Sequence, residues 1–277
     1  MRVEIAQYAG VCYGVERALK LAEEAAARDT TVRTLGPLIH NPQAVEALRS
    51  RGVEVAATLE DVDGGTVVIR THGVDPAVLT AAHDKGLDVV DATCPFVKKA
   101  QAAAADLKQA GYTLVVVGEA EHPEVEGIVA HAGGDAIVIG SAEDLPDKLR
   151  SRRVGVVVQT TQSPQRLADV VAALLGRSNE LRVFNTICSA TEQRQQSAAE
   201  LAARVDVVVV VGGHNSGNTT RLAEISRAVN PRTYHVETAA EVDSEWFEGA
   251  DVVGVTAGAS TPAEQITGVV EAIEAIE

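Results

Sequence analysis

Three stretches of this chain repeat one another in register, and that repetition limits the possible fold more than any other feature. VEIAQYAGVC ends at Cys12, LDVVDATC at Cys94 and LRVFNTIC at Cys188, and an alanine-rich amphipathic stretch follows each: ERALKLAEEAA, VKKAQAAAADLKQAG and EQRQQSAAELAARV. Each copy reads as a short strand, a cysteine-bearing turn and a helix. A second apolar run then closes on glycine and a polar turn: VRTLGPLIHNP, YTLVVVGEAEHPE and DVVVVVGGHNSGN. His40, His122 and Ser216 each lie 28 residues after their cysteine and four after Gly36, Gly118 and Gly212. Equal spacing at three places marks one supersecondary unit used three times.

The repeat runs on through a third short strand (GVEVA, AIVIG, TYHVE) and a capping-type turn at Thr58 to Asp61, Ser141 to Asp144 and Thr238 to Glu241. A fourth strand follows, with the polar loops RTHGVDP, QTTQSP and TAGASTP, whose prolines Pro76, Pro164 and Pro262 suit the first turn of a helix. The expected fold is therefore α/β, with three pseudo-threefold-related lobes at 1–86, 87–178 and 179–277, each a small, mainly parallel four-stranded sheet with flanking helices. Ligands of open parallel sheets bind at the carboxyl ends of the strands, where all these polar turns fall. If the lobes meet with those ends inward, one central cavity receives three thiols and a ring of His, Ser, Thr and Asn.

Composition supports this class. Of 277 residues, 46% are hydrophobic and only 3% aromatic, which suits buried aliphatic strands alternating with helices. A net charge of −15 argues against nucleic acid as a partner, so any anion must be held locally. The start, MRVEIAQYAG, shows no signal-peptide pattern and the run Val207 to Val211 is too short to cross a bilayer, so the expected location is the cytoplasm, with no membrane partner. Three cysteines in a reducing compartment make a poor disulfide framework and a better set of thiols, metal ligands or catalysts.

Three thiolates on one axis can hold zinc with a fourth ligand, or a cubane iron–sulfur cluster with one iron lacking a cysteine, and spacing alone does not separate the two. A closed structural zinc site has no need of a polar cavity beside it. His40, His72 and His122 stand at related turns, and Ser216, Asn218, Thr161 and Ser260 fill the remaining ones, a ring suited to a phosphate or diphosphate. GGHNSGNT nearly matches a P-loop, but Asn218 stands where that motif needs lysine, and no GxGxxG opens a helix, so nucleotide hydrolysis and a dinucleotide cofactor are not expected. Glu124, directly after the His122 turn, is the best candidate acid, its alternative being a first-turn residue that favours its helix N-terminus. Thr160 can pass a proton or cap a helix. A non-redox hydratase and a thiol-based metal or redox sensor are the competing readings. The first needs no electron donor, and the second has no use for the anion-binding turns.

GVCYGVERAL, IHNPQAV, THGV, DATCPFVKKAQ, HPEVEG, QTTQS, CSATEQRQ, NSGNTTRLAE and TAGAS, taken together and spread nearly end to end, resemble the 4-hydroxy-3-methylbut-2-enyl diphosphate reductase family of the non-mevalonate isoprenoid pathway. The resemblance implies an oxidoreductase with a [4Fe-4S] cluster held by Cys12, Cys94 and Cys188, the fourth iron being left for substrate. It implies diphosphate binding by His40, His72, His122, Ser216, Asn218 and Ser260, with Thr161 nearby, and proton delivery by Glu124 assisted by Thr160. A ferredoxin or flavodoxin is the implied electron donor. Gly217 departs from the pattern, since many members have Ser there, and the chain ends at Glu277 without the C-terminal extension of some members.

Overall fold

A computed structural model describes residues 1–149 and 151–276; the chain end noted above, Glu277, lies outside the described residues, as does Arg150. The chain runs β1 (Arg2–Ile5), α1 (Tyr13–Ala26), β2 (Val32–Leu35), α2 (Pro42–Arg49), β3 (Val53–Ala56), β4 (Thr66–Ile69) and α3 (Pro76–Asp84). It continues through β5 (Asp88–Asp91), α4 (Pro95–Gln109), β6 (Thr113–Val117), α5 (Pro123–His131), β7 (Ile137–Ile139), β8 (Arg153–Val158) and α6 (Pro164–Leu175). The last third holds β9 (Glu180–Val183), α7 (Ser189–Ala202), β10 (Val207–Val211), α8 (Gly217–Val229), β11 (Thr233–Val236), β12 (Val252–Ala257) and α9 (Ala263–Glu274).

The strands form three four-stranded sheets, in the orders β3-β2-β4-β5, β7-β6-β8-β9 and β1-β12-β10-β11. Every pairing is parallel. The inner strands β4, β6, β8, β10 and β12 are largely aliphatic, as strands covered on both faces should be, whereas the inner strand β2, VRTL, carries Arg33 and Thr34. In β10 all five residues are valines and all are buried, and each such side chain contributes roughly 1.5–3 kcal/mol by leaving water. The three capping-type turns are present as single 3-10 turns. In each, the hydroxyl and backbone N–H of Thr58, Ser141 or Thr238 donate to the carboxylate three residues on.

The sheets and the sequence repeat are out of step by one strand. The stretches beginning at residues 1, 87 and 179 each open with a strand, β1, β5 or β9, that pairs in the sheet of another stretch. β5 pairs with β4, β9 with β8, and β1 with β12. Sheet and repeat part in this way because a strand's sheet is set by distant pairing partners that no local pattern displays. Cys94 thus sits where the chain leaves the first sheet for α4, which packs on the second. There Gly155 of β8 lets the helix approach closely: a Cβ on it would lie 2.7 Å from Leu107. The third sheet repeats the device, with Gly254 of β12 against Leu201 of α7 at 2.8 Å.

By compactness the chain divides into two units. One contains Met1–Glu16, Ile39–Glu46 and Ser189–Glu277, with the third sheet; the other contains Arg17–Leu38 and Ala47–Cys188, with the first and second sheets. Among the described residues no helix is long and apolar enough to cross a membrane.

Candidate active site

In the two-sheet unit the candidate residues lie on turns at the carboxyl ends of strands. Cys94 is the N-cap of α4, followed by Pro95 in its first turn. Its N–H donates to the carbonyl of Thr71 at 2.9 Å, and Thr71 immediately precedes His72. Cys188 is seated alike, its N–H on the carbonyl of Thr160 at 3.1 Å, and Thr160 immediately precedes Thr161. The imidazoles of His72, from the first sheet, and His122, from the second, meet edge to face with centroids 5.2 Å apart. His122 is the N-cap of α5, where its Nδ1 accepts from the Glu124 N–H at 3.1 Å. That bond leaves the ring's hydrogen on Nε2.

Glu124, in the first turn of α5, is 2% exposed. Its Oε1 accepts from the Thr160 N–H at 2.6 Å and its Oε2 from Thr160 Oγ1 at 2.8 Å. Burial pushes the carboxyl up to about 7, with the charge of Glu119 adding to the rise and the two bonds from Thr160 opposing it. A carboxyl poised near neutrality can both give and take a proton at physiological pH. Thr160 is not a helix cap, since Ser163 caps α6 through its bond from the Arg166 N–H.

The other unit seats its cysteine the same way. The Cys12 N–H donates to the carbonyl of Ala259 at 3.0 Å, directly before Ser260. Ser260 Oγ donates to the His40 carbonyl at 3.2 Å. Asn41 caps α2, its Oδ1 accepting from the Ala44 N–H at 2.9 Å. Ser216 caps α8, accepting from the Thr219 N–H at 3.3 Å, and Gly217 is the first residue of that helix. Asn218 is 5% exposed, and neither polar atom of its amide has a hydrogen-bond partner among the described residues. A buried amide with nothing to bind costs on the order of 1–3 kcal/mol, a cost that a bound ligand removes.

Several contributors escape a reading by motif. His235 braces the polar turn after β10, its Nε2 2.8 Å from the Gly212 carbonyl. Gln159 accepts from the Glu119 N–H at 3.0 Å, in the turn that leads to His122. Gln101 of α4 occupies the space a side chain on Gly73 would need, with Nε2 2.5 Å from that Cβ position. None of the three carries a signal in the sequence, because each meets its turn only in the folded chain. Glu121 and Glu126 are exposed, as solvated neighbours should be.

Three cysteines thus share one backbone seat, each amide resting on the carbonyl before a candidate anion ligand. Over residues 3–274 the chain also matches the model of the LytB protein family. It belongs to that family. It is 53% identical to a 4-hydroxy-3-methylbut-2-enyl diphosphate reductase of Pelobacter propionicus, over 95% of this chain and 94% of that one. It is 52% identical to the enzyme of the same name from Geobacter sulfurreducens, over 99% of this chain and 97% of that one. A solved (E)-4-hydroxy-3-methyl-but-2-enyl diphosphate reductase, the terminal enzyme of the non-mevalonate pathway, matches with 46% identity, 99% coverage of both chains and a TM-score of 0.73. The Plasmodium falciparum E-1-hydroxy-2-methyl-but-2-enyl-4-diphosphate reductase matches with 25% identity and a TM-score of 0.92, over 98% of this chain and 87% of that one. This LytB-family chain is accordingly an α/β protein of three parallel sheets, as its sequence leads one to expect.

Proposed function

We infer that the chain is a reductase converting 4-hydroxy-3-methylbut-2-enyl diphosphate, with two electrons and two protons, to water and a mixture of isopentenyl and dimethylallyl diphosphates. The carbon–oxygen bond to the allylic hydroxyl breaks, one proton leaves with that oxygen as water, and the other goes to the allylic carbon framework. The observation that carries this reading is Glu124, a fully buried carboxyl brought near neutrality and held at both oxygens by Thr160, in the turn that seats Cys188.

The donor set suits a [4Fe-4S] cluster. All three cysteines are thiols outside any disulfide, each partly accessible at the start of a helix. Soft thiolates favour iron–sulfur chemistry, and with only three cysteines in the chain one iron remains without a protein thiolate. Cys12, Cys94 and Cys188 would hold it, and when bound it supplies single electrons and a Lewis acid for the substrate hydroxyl. The protein's own groups do the rest. His72, His122, Thr161, His40, Ser216, Asn218 and Ser260 offer hydrogen-bond donors for the diphosphate, and His122 keeps its proton on the nitrogen turned away from its cap. Glu124 gives the protons, and Thr160 Oγ1 orients its carboxyl and relays them.

The reaction consumes reducing equivalents one at a time, which fits a ferredoxin or flavodoxin as donor and a cytoplasmic setting. Anaerobic preparation followed by iron and sulfide analysis, EPR and turnover under a one-electron reductant tests the reading. Four irons per chain, a signal altered by the hydroxy diphosphate and isoprenoid diphosphate products are expected. Stoichiometric zinc without turnover overturns it, and turnover without electron consumption points to a hydratase instead.

A further inference from the structure

None of the candidate diphosphate ligands is a lysine or arginine, and the chain carries a net charge of −15. A multiply charged anion in such a protein gains from a nearby fixed cation, and the two-sheet unit keeps one behind the His72 turn. Arg70 lies two residues before His72. Its Nε donates to the Gly73 carbonyl at 3.5 Å while the Gly73 N–H donates to the Arg70 carbonyl at 3.0 Å, so side chain and backbone together close the turn around Thr71 and His72. Gly73 has φ +74°, and the guanidinium lies over Gly36, φ +70°, where a Cβ would sit 2.7 Å from Nη1. Both glycines are thus required, one by the turn and one by the arginine.

The guanidinium borders a cavity of about 580 Å³ whose walls include Leu35, Val74, Val78 and Ala130. Burial pulls its pKa below the usual arginine value, and the charge of Glu126 opposes that pull; at any physiological pH it remains a cation. Glu126 lines the same cavity on α5, the helix that His122 caps, and two further acids, Glu60 and Asp75, stand on the wall. Asp75 is engaged as the cap of α3, accepting from the Ala77 N–H at 2.8 Å. The bond to the Gly73 carbonyl is the hydrogen bond that the Arg70 side chain makes among the described residues. A half-buried charge so weakly compensated is costly to keep, and its cost is offset where its field acts on a bound anion.

We propose that Arg70 is a positioning residue of the diphosphate site, closing the turn that carries His72 and holding a fixed positive charge behind it. The proposal rests on the assignment of His72 and His122 to the diphosphate. The test measures binding of inorganic pyrophosphate to the holoenzyme, with steady-state turnover, for wild type, Arg70→Gln, Arg70→Lys and Glu126→Gln. Arg70→Gln should weaken pyrophosphate binding and raise KM about tenfold, with kcat near the wild-type value. Arg70→Lys, which keeps the charge and loses the planar fork, should recover most of that loss. Glu126→Gln, at an exposed position that leaves folding intact, should tighten pyrophosphate binding about twofold. A lysine variant as weak as the glutamine variant overturns the role of the charge, since a merely structural arginine would give that result. Should Arg70→Gln fail to fold, unchanged affinity in Glu126→Gln overturns it equally. Wild-type holoenzyme that binds no pyrophosphate overturns the diphosphate reading itself, whereas wild-type binding with an unaffected Arg70→Gln overturns this inference alone.

Discussion

Thr160 reaches both oxygens of Glu124, its N–H on Oε1 at 2.6 Å and its hydroxyl on Oε2 at 2.8 Å. A single residue therefore fixes the orientation of the buried carboxyl. Replacing Glu124 by Gln keeps the shape and one acceptor but removes the exchangeable proton. Turnover should fall by about 10²–10⁴ while substrate still perturbs the cluster's EPR signal. Near-normal turnover in Glu124→Gln would sink the assignment of the proton donor.

The same carboxyl should make stability depend on pH. Its folded value of about 7 lies above the ordinary 4.5, so between these limits the folded state holds a proton that the unfolded state has released. Stability from this group is full below pH 4.5, falls as pH rises through about 7, and levels off beyond. The whole change is on the order of 3 kcal/mol. Urea unfolding at pH 5 and pH 8 should show Glu124→Gln gaining on wild type by roughly that amount at the higher pH; a constant difference contradicts it.

His122 combines a helix cap with a candidate phosphate donor, and two substitutions separate these duties. Asn caps helices well, so His122→Asn should unfold within about 0.5 kcal/mol of wild type, whereas His122→Ala should lose about 1 kcal/mol. Both should raise KM by a similar factor, because neither carries a donor out to the position of Nε2. Stability from denaturant titration and KM from turnover read the two effects independently.

Each cysteine should be needed for the cluster. Cys12→Ser, Cys94→Ser and Cys188→Ser should each lower iron content and abolish turnover, as should chelation of the wild-type protein under oxidising conditions. Full iron occupancy in any of the three would remove that residue from the ligand set.

A local packing test bears on the fold. The Cβ of Gly155→Ala would meet Cγ, Cδ1 and Cδ2 of Leu107 at 2.7–3.0 Å. The variant should lose about 1–3 kcal/mol, read from its urea midpoint, with the second substitution Leu107→Val recovering part of the loss.

Local features were legible in the sequence because their causes are local. The strand, cysteine turn and helix of each copy, the hydroxyl-to-carboxylate turns at Thr58, Ser141 and Thr238, and the first-turn prolines Pro76 and Pro164 each follow from a few neighbouring residues. Pro262 shifts by one place, standing as the cap of α9. Sheet membership was hidden, because β1 is four residues, RVEI, whose register is set by Val252 to Val255. Thr160 could be read as a cap or a proton relay until Ser163 took the first duty. Arg70 and Gln101 gave no warning, since a lone arginine before a turn and a lone glutamine in a helix acquire meaning only from the glycines they pack against.

The pairing of β1 with β12 also orders events during synthesis. Residues Arg2 to Ile5 leave the ribosome long before the strand that receives them, Val252 to Ala257. The first and second sheets contain only strands between β2 and β9 and can be completed on the nascent chain in turn, whereas the third must wait with its opening strand unmatched. A ribosome stalled before Val252 therefore releases a chain whose first strand and whose buried valine strand β10 both lack a neighbour, the form of this protein most prone to aggregate.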